Sequence, residues 1–285
     1  METAAKLDRL REVIRTYESV LVCYSGGIDS ALVLKVAHDV LGERAIGMTA
    51  VSPSLADEEH EGAVKIAKEI GARHELVQSN EIDDPKYQAN GSDRCFHCKS
   101  ELYRVADRKK VDWKVAVVAN GANLDDLGDY RPGLKAASDA GAKSPLIDAG
   151  FTKADVRSAA VTLGLSIWDK PAAACLSSRL PYGTSVTRER LGQIAALEAA
   201  LHRLGLRQVR VRWHALPSTV QGTLESSMAR IEVSRDELDR AFTQRDAIVT
   251  AGKAAGFAFV TLDLQGYRTG SHNELLAPRA LPIIR

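Results

Sequence analysis

The sequence predicts an α/β protein that contains a doubly wound parallel sheet and a smaller C-terminal α+β domain. Apolar runs of strand length alternate with amphipathic helical stretches in the first part of the chain, a pattern typical of parallel sheets. A glycine turn joins the first strand to the first long helix. The pattern changes after Pro181, so we expect domains over residues 1–180 and 181–285.

The first domain is predicted to place four strands between helices. The strands are expected at Val20–Tyr24, Arg44–Val51, His74–Val77 and Val115–Val118. The helices are expected at Leu7–Tyr17, at Asp29–Val40, from an N-cap at Ser54 to about Ile70, and at Thr152–Leu163 with Asp155 as a capping partner. The polar stretch Gln78–Asp93 is expected to be a mobile loop near the site.

The second domain is predicted to combine helices with three short strands. The helix is expected at Thr187–Leu204, and the strands at Gln208–Trp213, Met228–Val233 and Phe257–Leu264. The first of these strands alternates valine with arginine, which predicts a half-exposed strand. A capping-box pattern from Ser234 to Glu237 predicts one helix that continues to about Gly252.

Composition and charge limit the classes of function. The formal charge of +1 argues against a general affinity for polyanions, and nucleic-acid partners are not expected. The N-terminal residues include acids and lack an apolar core, which excludes a signal peptide, and no apolar run is long enough to span a membrane. Four cysteines favour metal binding or catalysis over a disulfide scaffold. We expect a cytoplasmic enzyme that forms a homo-oligomer.

The turn Tyr24-Ser25-Gly26-Gly27-Ile28-Asp29-Ser30 is predicted to bind phosphate. Its two glycines allow the backbone to approach an anion, and the helix that follows directs free N–H groups and a positive dipole towards it. Ser25 and Ser30 add hydroxyl donors. No lysine follows the glycines, so the turn is not a Walker A motif. The alternative is an ordinary strand–helix turn with chance glycines.

Other loops are expected to join this turn, because ligands of parallel sheets bind beyond the carboxyl ends of the strands. Thr49–Ser52 and Asn120–Asp126 both follow predicted strands. The amides and carboxylates of the second loop are suited to Mg²⁺ on a pyrophosphate, although a capped surface turn is the alternative. The nucleotide and Mg²⁺ site is therefore predicted to include Ser25, Gly26, Gly27, Asp29, Ser30, Ser52, Gly121 and Asp125, with Arg131 and Lys135 at its rim.

Three of the four cysteines are candidates for a joint role. Cys95 and Cys98 form a C-x-x-C motif, and Cys175 lies in a segment of small and polar residues. Three thiolates suit a [4Fe–4S] cluster with one open iron. Structural zinc, thiol or persulfide chemistry and three unrelated thiols are the alternatives. Cys23 lies in an apolar strand and is expected only to pack.

Several arginines are candidates for binding an anionic substrate. Ser178 and Arg179 follow Cys175 and are suited to phosphate contact. Arg210, Arg212 and Arg268 have the geometry to bind a phosphate or a carboxylate with two hydrogen bonds each. A solvated strand face is the alternative explanation for Arg210 and Arg212.

Taken together, these motifs resemble the LarE family of the PP-loop ATP pyrophosphatase superfamily over nearly the whole chain. The matching segments are Ser25-Gly26-Gly27-Ile28-Asp29-Ser30, Arg94-Cys95-Phe96-His97-Cys98-Lys99, Asp129-Tyr130-Arg131-Pro132-Gly133-Leu134-Lys135, Cys175-Leu176-Ser177-Ser178-Arg179-Leu180-Pro181-Tyr182-Gly183, and Val260-Thr261-Leu262-Asp263-Leu264 with Gly266-Tyr267-Arg268. The resemblance implies an ATP-dependent sulfur transferase that adenylates the carboxylates of pyridinium-3,5-biscarboxylate mononucleotide and converts them to thiocarboxylates for the nickel-pincer cofactor.

The resemblance also implies roles for single residues. Asp29 is expected to act in catalysis with the three cysteines, and the C-terminal domain to hold the substrate nucleotide with Glu232 and the arginines named above. Some family members sacrifice a cysteine at the position of Cys175 and generally lack the C-x-x-C motif. Others use three cysteines to hold a [4Fe–4S] cluster. This chain resembles the second kind, with ATP, Mg²⁺ and the cluster as cofactors and with sulfide or another small sulfur donor as partner.

Three other kinds of protein share part of this pattern. A tRNA-thiolating enzyme has a PP-loop and a cysteine cluster but is expected to show a strongly basic face. An amidotransferase-type synthetase of the NAD or GMP kind has no need of three cysteines. A nucleotide-binding sensor without catalytic activity is the third alternative.

Overall fold

A computed structural model of the chain describes residues 3–128, 132–170, 174–217 and 226–268. The chain divides into two compact units, Met1–Cys175 and Leu176–Arg285. Asp129, Tyr130 and Arg131 of the predicted motifs lie outside the described residues, as do the segment 171–173 and the chain from Thr269 onward. In the part of the chain that the structure describes, no helix is long and apolar enough to cross a membrane.

The first unit is built on a four-stranded parallel sheet, as predicted. Its strands are β1 (Val20–Cys23), β2 (Ala45–Val51), β3 (Arg73–Gln78) and β4 (Val117–Ala119), in the order β3-β2-β1-β4. The residue that starts β1, Val20, is in register with Ala45 of β2 and with Val117 of β4. β1 is therefore paired on both sides, and the loop that follows it opens at the middle of the sheet.

Helices cover both faces of this sheet. They are α1 (Thr3–Arg15), α2 (Ile28–Leu41), α3 (Asp57–Ile70), α4 (Pro85–Gln88), α5 (Arg94–Asp112), α6 (Pro132–Asp139), α7 (Pro145–Asp148) and α8 (Lys153–Thr162). Val20 and Val22 of β1 belong to a core with residues of α1, α2 and α8, whereas Leu21 belongs to a core with residues of α5 and α6. Since side chains alternate along a strand, the two cores lie on opposite faces and the sheet is doubly wound.

Two predicted helix caps have different outcomes. Thr152 and Asp155 form a capping box at the start of α8, which confirms that prediction. The prediction that Ser54 caps α3 was wrong, because α3 begins at Asp57 behind Ala56, without a side-chain cap. The Ser54 hydroxyl instead donates to the Glu81 carboxylate over 2.9 Å. The Ser54 hydroxyl, which the local sequence pattern predicted to cap α3, is therefore bonded to a residue 27 positions away.

The stretch Gln78–Asp93 was expected to be a loop, but it contains regular structure and buried residues. It contains a 3₁₀ turn at Glu81–Asp83 and the short helix α4. Tyr87 and Asn90 are buried within it. The polar composition that indicated a loop reflects buried hydrogen bonds, since Glu81 accepts from Ser79 as well as from Ser54.

Over residues 176–217 and 226–268, the second unit contains a three-stranded mixed sheet and three α-helices. They are α9 (Arg188–Arg203), β5 (Val209–Ala215), β6 (Ser227–Val233), α10 (Leu238–Thr243), α11 (Arg245–Ala254) and β7 (Phe259–Leu262). β5 pairs antiparallel with β6, and β6 pairs parallel with β7 through the α10–α11 crossover. The predicted single helix to Gly252 was wrong: a 3₁₀ turn follows Ser234, and the helix is divided at Gln244.

Candidate functional site

The glycine turn after β1 is closed by hydrogen bonds between its two serines. The hydroxyl of Ser30 accepts from the backbone N–H of Ser25 over 3.2 Å, lies 3.2 Å from the Ser25 hydroxyl and donates to the carbonyl of Gly27 over 3.1 Å. These contacts hold the turn at the N-terminus of α2. The first-turn N–H groups and the dipole of α2 then favour an anion there.

Two glycines are required by close packing around this turn. Gly26 has φ of +73°, and a Cβ atom on it would lie 2.8 Å from Cβ of Ala63 in α3. A Cβ atom on Gly121, in the loop after β4, would lie 2.6 Å from the backbone nitrogen of Ser30. The loops after β1 and β4 are therefore in backbone contact, as the predicted sheet edge requires.

Asp29 lies at the centre of a polar group on this edge. Its Oδ1 accepts from the Asn123 amide over 3.1 Å, and its Oδ2 pairs with the ammonium of Lys153. The backbone N–H of Lys153 donates to Asp125 over 2.8 Å. Asp29, Gly121 and Asp125, all predicted members of the site, are thus brought together. Lys153 was not predicted, since it belongs to the first turn of α8 and no local motif marks it.

A second lysine that the sequence did not reveal contacts the turn from the other side. Lys170 donates to the carbonyl of Gly26 over 3.3 Å and to Glu59 of α3 over 2.8 Å. It lies 144 residues from Gly26 in sequence. Lys153 and Lys170 place two positive charges beside a glycine turn that has no lysine of its own.

Ser52, also a predicted member, is placed at the end of β2. Its hydroxyl lies 2.8 Å from that of Ser54, which donates to the buried Glu81. Thr49, earlier on β2, donates to the carbonyl of Tyr24, the residue before the turn. Thr49 of β2 is therefore hydrogen-bonded to the residue that precedes the turn. Ser52 is instead connected through Ser54 to Glu81.

The C-x-x-C cysteines lie in the first turn of α5. Cys95 and Cys98 are three residues apart and so share one side of the helix. Burial raises the pKa of the Cys98 thiol to about 12; the ammonium of Lys99 acts in the opposite direction, and the thiols of Cys175 and Cys95 are among the groups that raise it further. Cys98 therefore lies near enough to both other cysteines to interact with them electrostatically.

All four cysteines are free of disulfides. Cys23 differs from the other three in that it belongs to β1, and burial raises its pKa to about 12 as well. Among the residues that the structure describes, no three His, Cys, Asp or Glu side chains are grouped so that they could hold a single metal ion.

The second unit carries a network of arginines and acids. Arg179 makes a bidentate ion pair with Glu198, at 2.9 and 2.8 Å, and both side chains are buried. Arg212 donates to Glu232 over 2.8 Å and to the carbonyl of Ser178 over 3.0 Å. Predicted residues Ser178, Arg179, Arg212 and Glu232 thus belong to one network, in which Ser178 is half-buried and the other three are buried.

The same network extends across the strands. Arg230, which lies opposite Arg212 in the sheet, donates to the second oxygen of Glu232 over 2.9 Å and pairs with Asp263. Arg268 lies 4.0 Å from Asp263. Two like charges on neighbouring strands repel each other, so Glu232 between Arg212 and Arg230 is needed to stabilise the pairing.

Arg210 lies on this charged face of the sheet beside the network. Its guanidinium stacks over the ring of Tyr267, 5.4 Å from the ring centre. Burial lowers the pKa of Arg210, and the positive charge of Arg179 lowers it further. The prediction that β5 is half exposed was wrong for Arg212, which is buried because Ser178 and Glu232 cover its guanidinium. Among the residues that the structure describes, arginines 179, 210, 212, 230 and 268 are gathered here with the acids Glu198, Glu232 and Asp263.

Comparison with known proteins decides the family. The profile of the NAD synthase family matches residues 3–114. The pyridinium-3,5-bisthiocarboxylic acid mononucleotide synthase of Lactiplantibacillus plantarum is 37% identical over 279 residues, which are 98% of this chain and 97% of that protein. The chain belongs to the LarE family.

Two further relatives have no assigned function. A Synechocystis protein is 44% identical to this LarE-family chain over 275 residues, which are 95% of the chain and 98% of that protein. A protein of Methanocaldococcus jannaschii is 26% identical over 252 residues, which are 88% of this chain and 92% of that protein. The similarity to the L. plantarum synthase therefore carries the assignment.

Membership in the LarE family and the PP-loop superfamily makes the protein an ATP-dependent sulfurtransferase. The NAD synthase match covers β1 and the turn after it, the part that PP-loop enzymes share, but does not reach Cys175 or the second unit. The full-length similarity to the L. plantarum synthase includes both. Within this LarE-family protein, the turn at Ser25–Ser30 is the nucleotide-binding candidate.

Proposed function

We propose that this LarE-family protein adenylates the carboxylates of pyridinium-3,5-biscarboxylate mononucleotide and converts each to a thiocarboxylate for the nickel-pincer cofactor. The similarity to the L. plantarum synthase over 98% of the chain carries the proposal. That synthase is named for a bisthiocarboxylic acid mononucleotide, a product with sulfur at two carboxyl groups. The PP-loop without a Walker lysine and the neighbouring thiols of Cys95, Cys98 and Cys175 support the same chemistry.

Adenylation comes first because a carboxylate is a poor electrophile. A carboxylate oxygen attacks the α-phosphorus of ATP, and pyrophosphate leaves. A sulfur nucleophile then attacks the acyl carbon, and AMP leaves with the bonding electron pair. The backbone N–H groups at the start of α2 stabilise the charge on the departing pyrophosphate. Asp29 and Asp125, which lie together at this sheet edge, are suited to hold Mg²⁺, an ion that neutralises phosphate charge.

The sulfur source in this proposal depends on Cys95, Cys98 and Cys175. None of the three forms a disulfide, and Cys95 and Cys175 both contribute to the electrostatic environment of the Cys98 thiol, so their chemistry fits a [4Fe–4S] cluster. Each cysteine of such a cluster binds a different iron, so the sulfurs need not meet at one point as they do around a single ion. A cluster with three cysteine ligands supplies an open iron that can carry sulfide. The alternative is that Cys175 gives up its own sulfur and becomes dehydroalanine.

The acceptor nucleotide is assigned to the second unit. Arg210 and Arg268 belong to the group of arginines and acids described above. Ser178, Arg179, Arg212 and Glu232 form the hydrogen-bonded network of the same group. A guanidinium can donate two hydrogen bonds to one phosphate, which suits the phosphate of a mononucleotide.

The remaining parts of the proposal concern partners and location. A tRNA acceptor is disfavoured by the net charge of +1. An amidotransferase of the NAD or GMP kind is disfavoured because three interacting thiols have no role in ammonia transfer. Cysteines without disulfides and the use of ATP are consistent with the cytoplasm. A homo-oligomer and a small sulfur donor such as sulfide complete the proposal.

The adenylation step is tested by product analysis. Incubation of the protein with ATP, Mg²⁺ and the biscarboxylate nucleotide should yield AMP and pyrophosphate, and Asp29→Ala should abolish both while thermal unfolding stays cooperative. Mass spectrometry should detect a thiocarboxylate when a sulfur source is present. Formation of ADP and orthophosphate would contradict the assignment.

The sulfur source is tested separately. Anaerobically prepared protein should contain about four irons per chain, as the cluster requires. Replacement of Cys95, Cys98 or Cys175 by alanine should remove iron and activity, whereas Cys23→Ala serves as the matched control and should leave both intact. Peptide mass spectrometry after turnover should find Cys175 unchanged. Loss of about 34 Da at Cys175 in stoichiometric amount would establish dehydroalanine and reject the cluster.

A further inference from the structure

Strand β3 is an open edge of the sheet in the first unit. It pairs with β2 on one side, and the order β3-β2-β1-β4 leaves its other side without a strand. Among the residues that the structure describes, no backbone hydrogen bond joins β3 to any segment except β2. An edge of this kind presents a row of N–H and C=O groups to which a further strand can bind.

The side chains of β3 divide between two faces. His74 lies against the ring of Tyr24 and bonds to Thr49. Leu76, two positions further on, shares this face and is 46% exposed. On the opposite face, the Arg73 guanidinium lies over the ring of Trp113 at the end of α5. A large apolar side chain is thus exposed in the middle of the open edge, where edges that stay unpaired usually carry a charge.

A groove of about 470 Å³ opens beside Val77, on the same face as Arg73. It is lined by Val77, Val105, Arg108, Lys109, Val111 and Asp112. Val111 is 77% exposed, and Lys109 bonds to Asp112 over 3.1 Å. The lining therefore combines apolar side chains with more positive than negative charge. An added strand directs alternate side chains into such a groove, and this one suits an acidic side chain with an apolar stem.

A second copy of β3 meets these requirements. A two-fold axis that extends a sheet is perpendicular to it and keeps each face on the same side, so the axis passes between two copies of one residue. Because β3 spans Arg73–Gln78, the longest overlaps are residues 73–77 about Glu75 and residues 74–78 about Leu76. Pairing about Glu75 would place two carboxylates opposite each other, which is destabilising. Pairing about Leu76 instead brings the two exposed leucines together.

The pairing about Leu76 also matches the charge of the groove. It places Glu75 of one copy opposite Val77 of the other, on the face where Arg108 and Lys109 line the groove. The symmetry repeats this contact, so each copy offers a carboxylate and receives one. We propose that two copies of this chain join through antiparallel pairing of their β3 strands about Leu76, with Glu75 of each copy in the groove of the other. The two four-stranded sheets then form one continuous sheet.

Sedimentation velocity of the full chain tests this surface. The unaltered protein should sediment as a dimer or as a larger assembly built from such dimers. Leu76→Lys places two ammonium groups opposite each other at the axis and should reduce the mass of that species by about half. Val161→Lys is the matched control, since Val161 is 55% exposed on α8 of the same unit, and it should leave the mass unchanged. A monomeric unaltered protein, or an unchanged mass in Leu76→Lys, would overturn the proposal and leave the edge to another partner.

A mixing experiment tests the register and does not depend on Leu76. Glu75→Arg and Arg108→Glu each bring like charges together when the variant pairs with itself, so each should weaken self-association about tenfold or more. Mixed in equal amounts, the two variants should pair with each other, because the reversed charges meet at one groove and the native charges meet at the other. Native mass spectrometry would detect the mixed dimer. Variants that self-associate as well as the unaltered protein, or a mixture that forms no mixed dimer, would reject the contact between Glu75 and the groove.

Discussion

Gly121 lies against the backbone of Ser30, so that a Cβ atom on the glycine would be 2.6 Å from the serine nitrogen. No real Cβ approaches a backbone atom so closely, and neither backbone can move without disturbing β4 or the start of α2. Gly121→Ala should therefore separate the two loops and cost about 1–3 kcal/mol in the free energy of unfolding.

The same change should weaken ATP binding, because the N–H groups at the start of α2 shift with the loop. Gly128→Ala is the matched control, since, its chain neighbours aside, no atom of the described residues lies within 4 Å of the Cβ it would add. Urea titration and calorimetry would measure the two effects. If Gly121→Ala and Gly128→Ala bound ATP equally well, the contact between the loops would not matter for the site.

Arg210 and Arg212 should respond differently to replacement, although both belong to β5. Arg212 is buried and bonded to Glu232, so Arg212→Met should lower the free energy of unfolding by about 3 kcal/mol. This value is at the lower end for a broken buried ion pair, because Arg230 still neutralises Glu232 in the variant. Arg210→Met should cost little stability but weaken binding of the acceptor nucleotide by about 1–3 kcal/mol.

Chemical unfolding and titration with the biscarboxylate nucleotide would separate these effects. ATP affinity is the internal control, since the nucleotide turn belongs to the first unit. A stable Arg210→Met variant with unchanged acceptor affinity would remove Arg210 from the substrate site.

Local patterns were sufficient to predict the parallel sheet and the turn at Ser25–Ser30, because strand spacing, glycines and the helix start lie within a few residues of one another. They were insufficient for α5, which has few buried apolar residues and so shows little helical periodicity. Lys153 and Lys170 were missed for a different reason. Each reaches the turn from more than 120 residues away in sequence, and only the fold brings them together.

The burial of Arg212 in the sheet of the second unit could not be predicted from the local sequence pattern either. Arginines that alternate with valines predict an exposed face, yet the carbonyl of Ser178 and the carboxylate of Glu232 cover Arg212. The charge of Arg212 can be buried only because these partners come from two other segments of the chain. The local sequence around Arg212 does not show that the fold brings them there.

Glu81 should prove important for the stability of the segment before the C-x-x-C helix. Its carboxylate is 3% exposed and accepts from Ser54 over 2.9 Å and Ser79 over 2.5 Å. Glu81→Gln replaces one acceptor by an N–H₂ donor and should cost about 1–3 kcal/mol. Glu75→Gln, at a more exposed carboxylate, is the control and should cost less than about 1 kcal/mol. Equal unfolding free energies for the two variants would show that the buried bonds contribute little.

Asp155 should make the stability of the first unit depend on acid. Burial by itself would raise its pKa, but hydrogen bonds from Lys6 and Thr152 lower it to about 2. A lowered pKa contributes stability above the unfolded value of about 4, and this contribution is lost as the pH falls towards 2. Asp155→Asn should therefore be about 1–2 kcal/mol less stable than the unaltered protein at neutral pH.

The difference between the two proteins should shrink steadily between about pH 4 and about pH 2. Thermal unfolding of both proteins across this range would measure it. A difference that stayed constant with pH would show that the ionised form of Asp155 has no special role.

The position of β1 between β2 and β4 has a consequence for how the chain folds as it leaves the ribosome. β3, β2 and β1 can pair as soon as they are synthesised, but β1 gains its second neighbour only when residues 117–119 emerge. The NAD synthase match ends at residue 114, just before that strand. A fragment cut to this match would carry every residue of the turn at Ser25–Ser30 and still lack the backbone of Gly121 that lies against it. Nucleotide binding should therefore appear late in synthesis, well after the turn itself has been made.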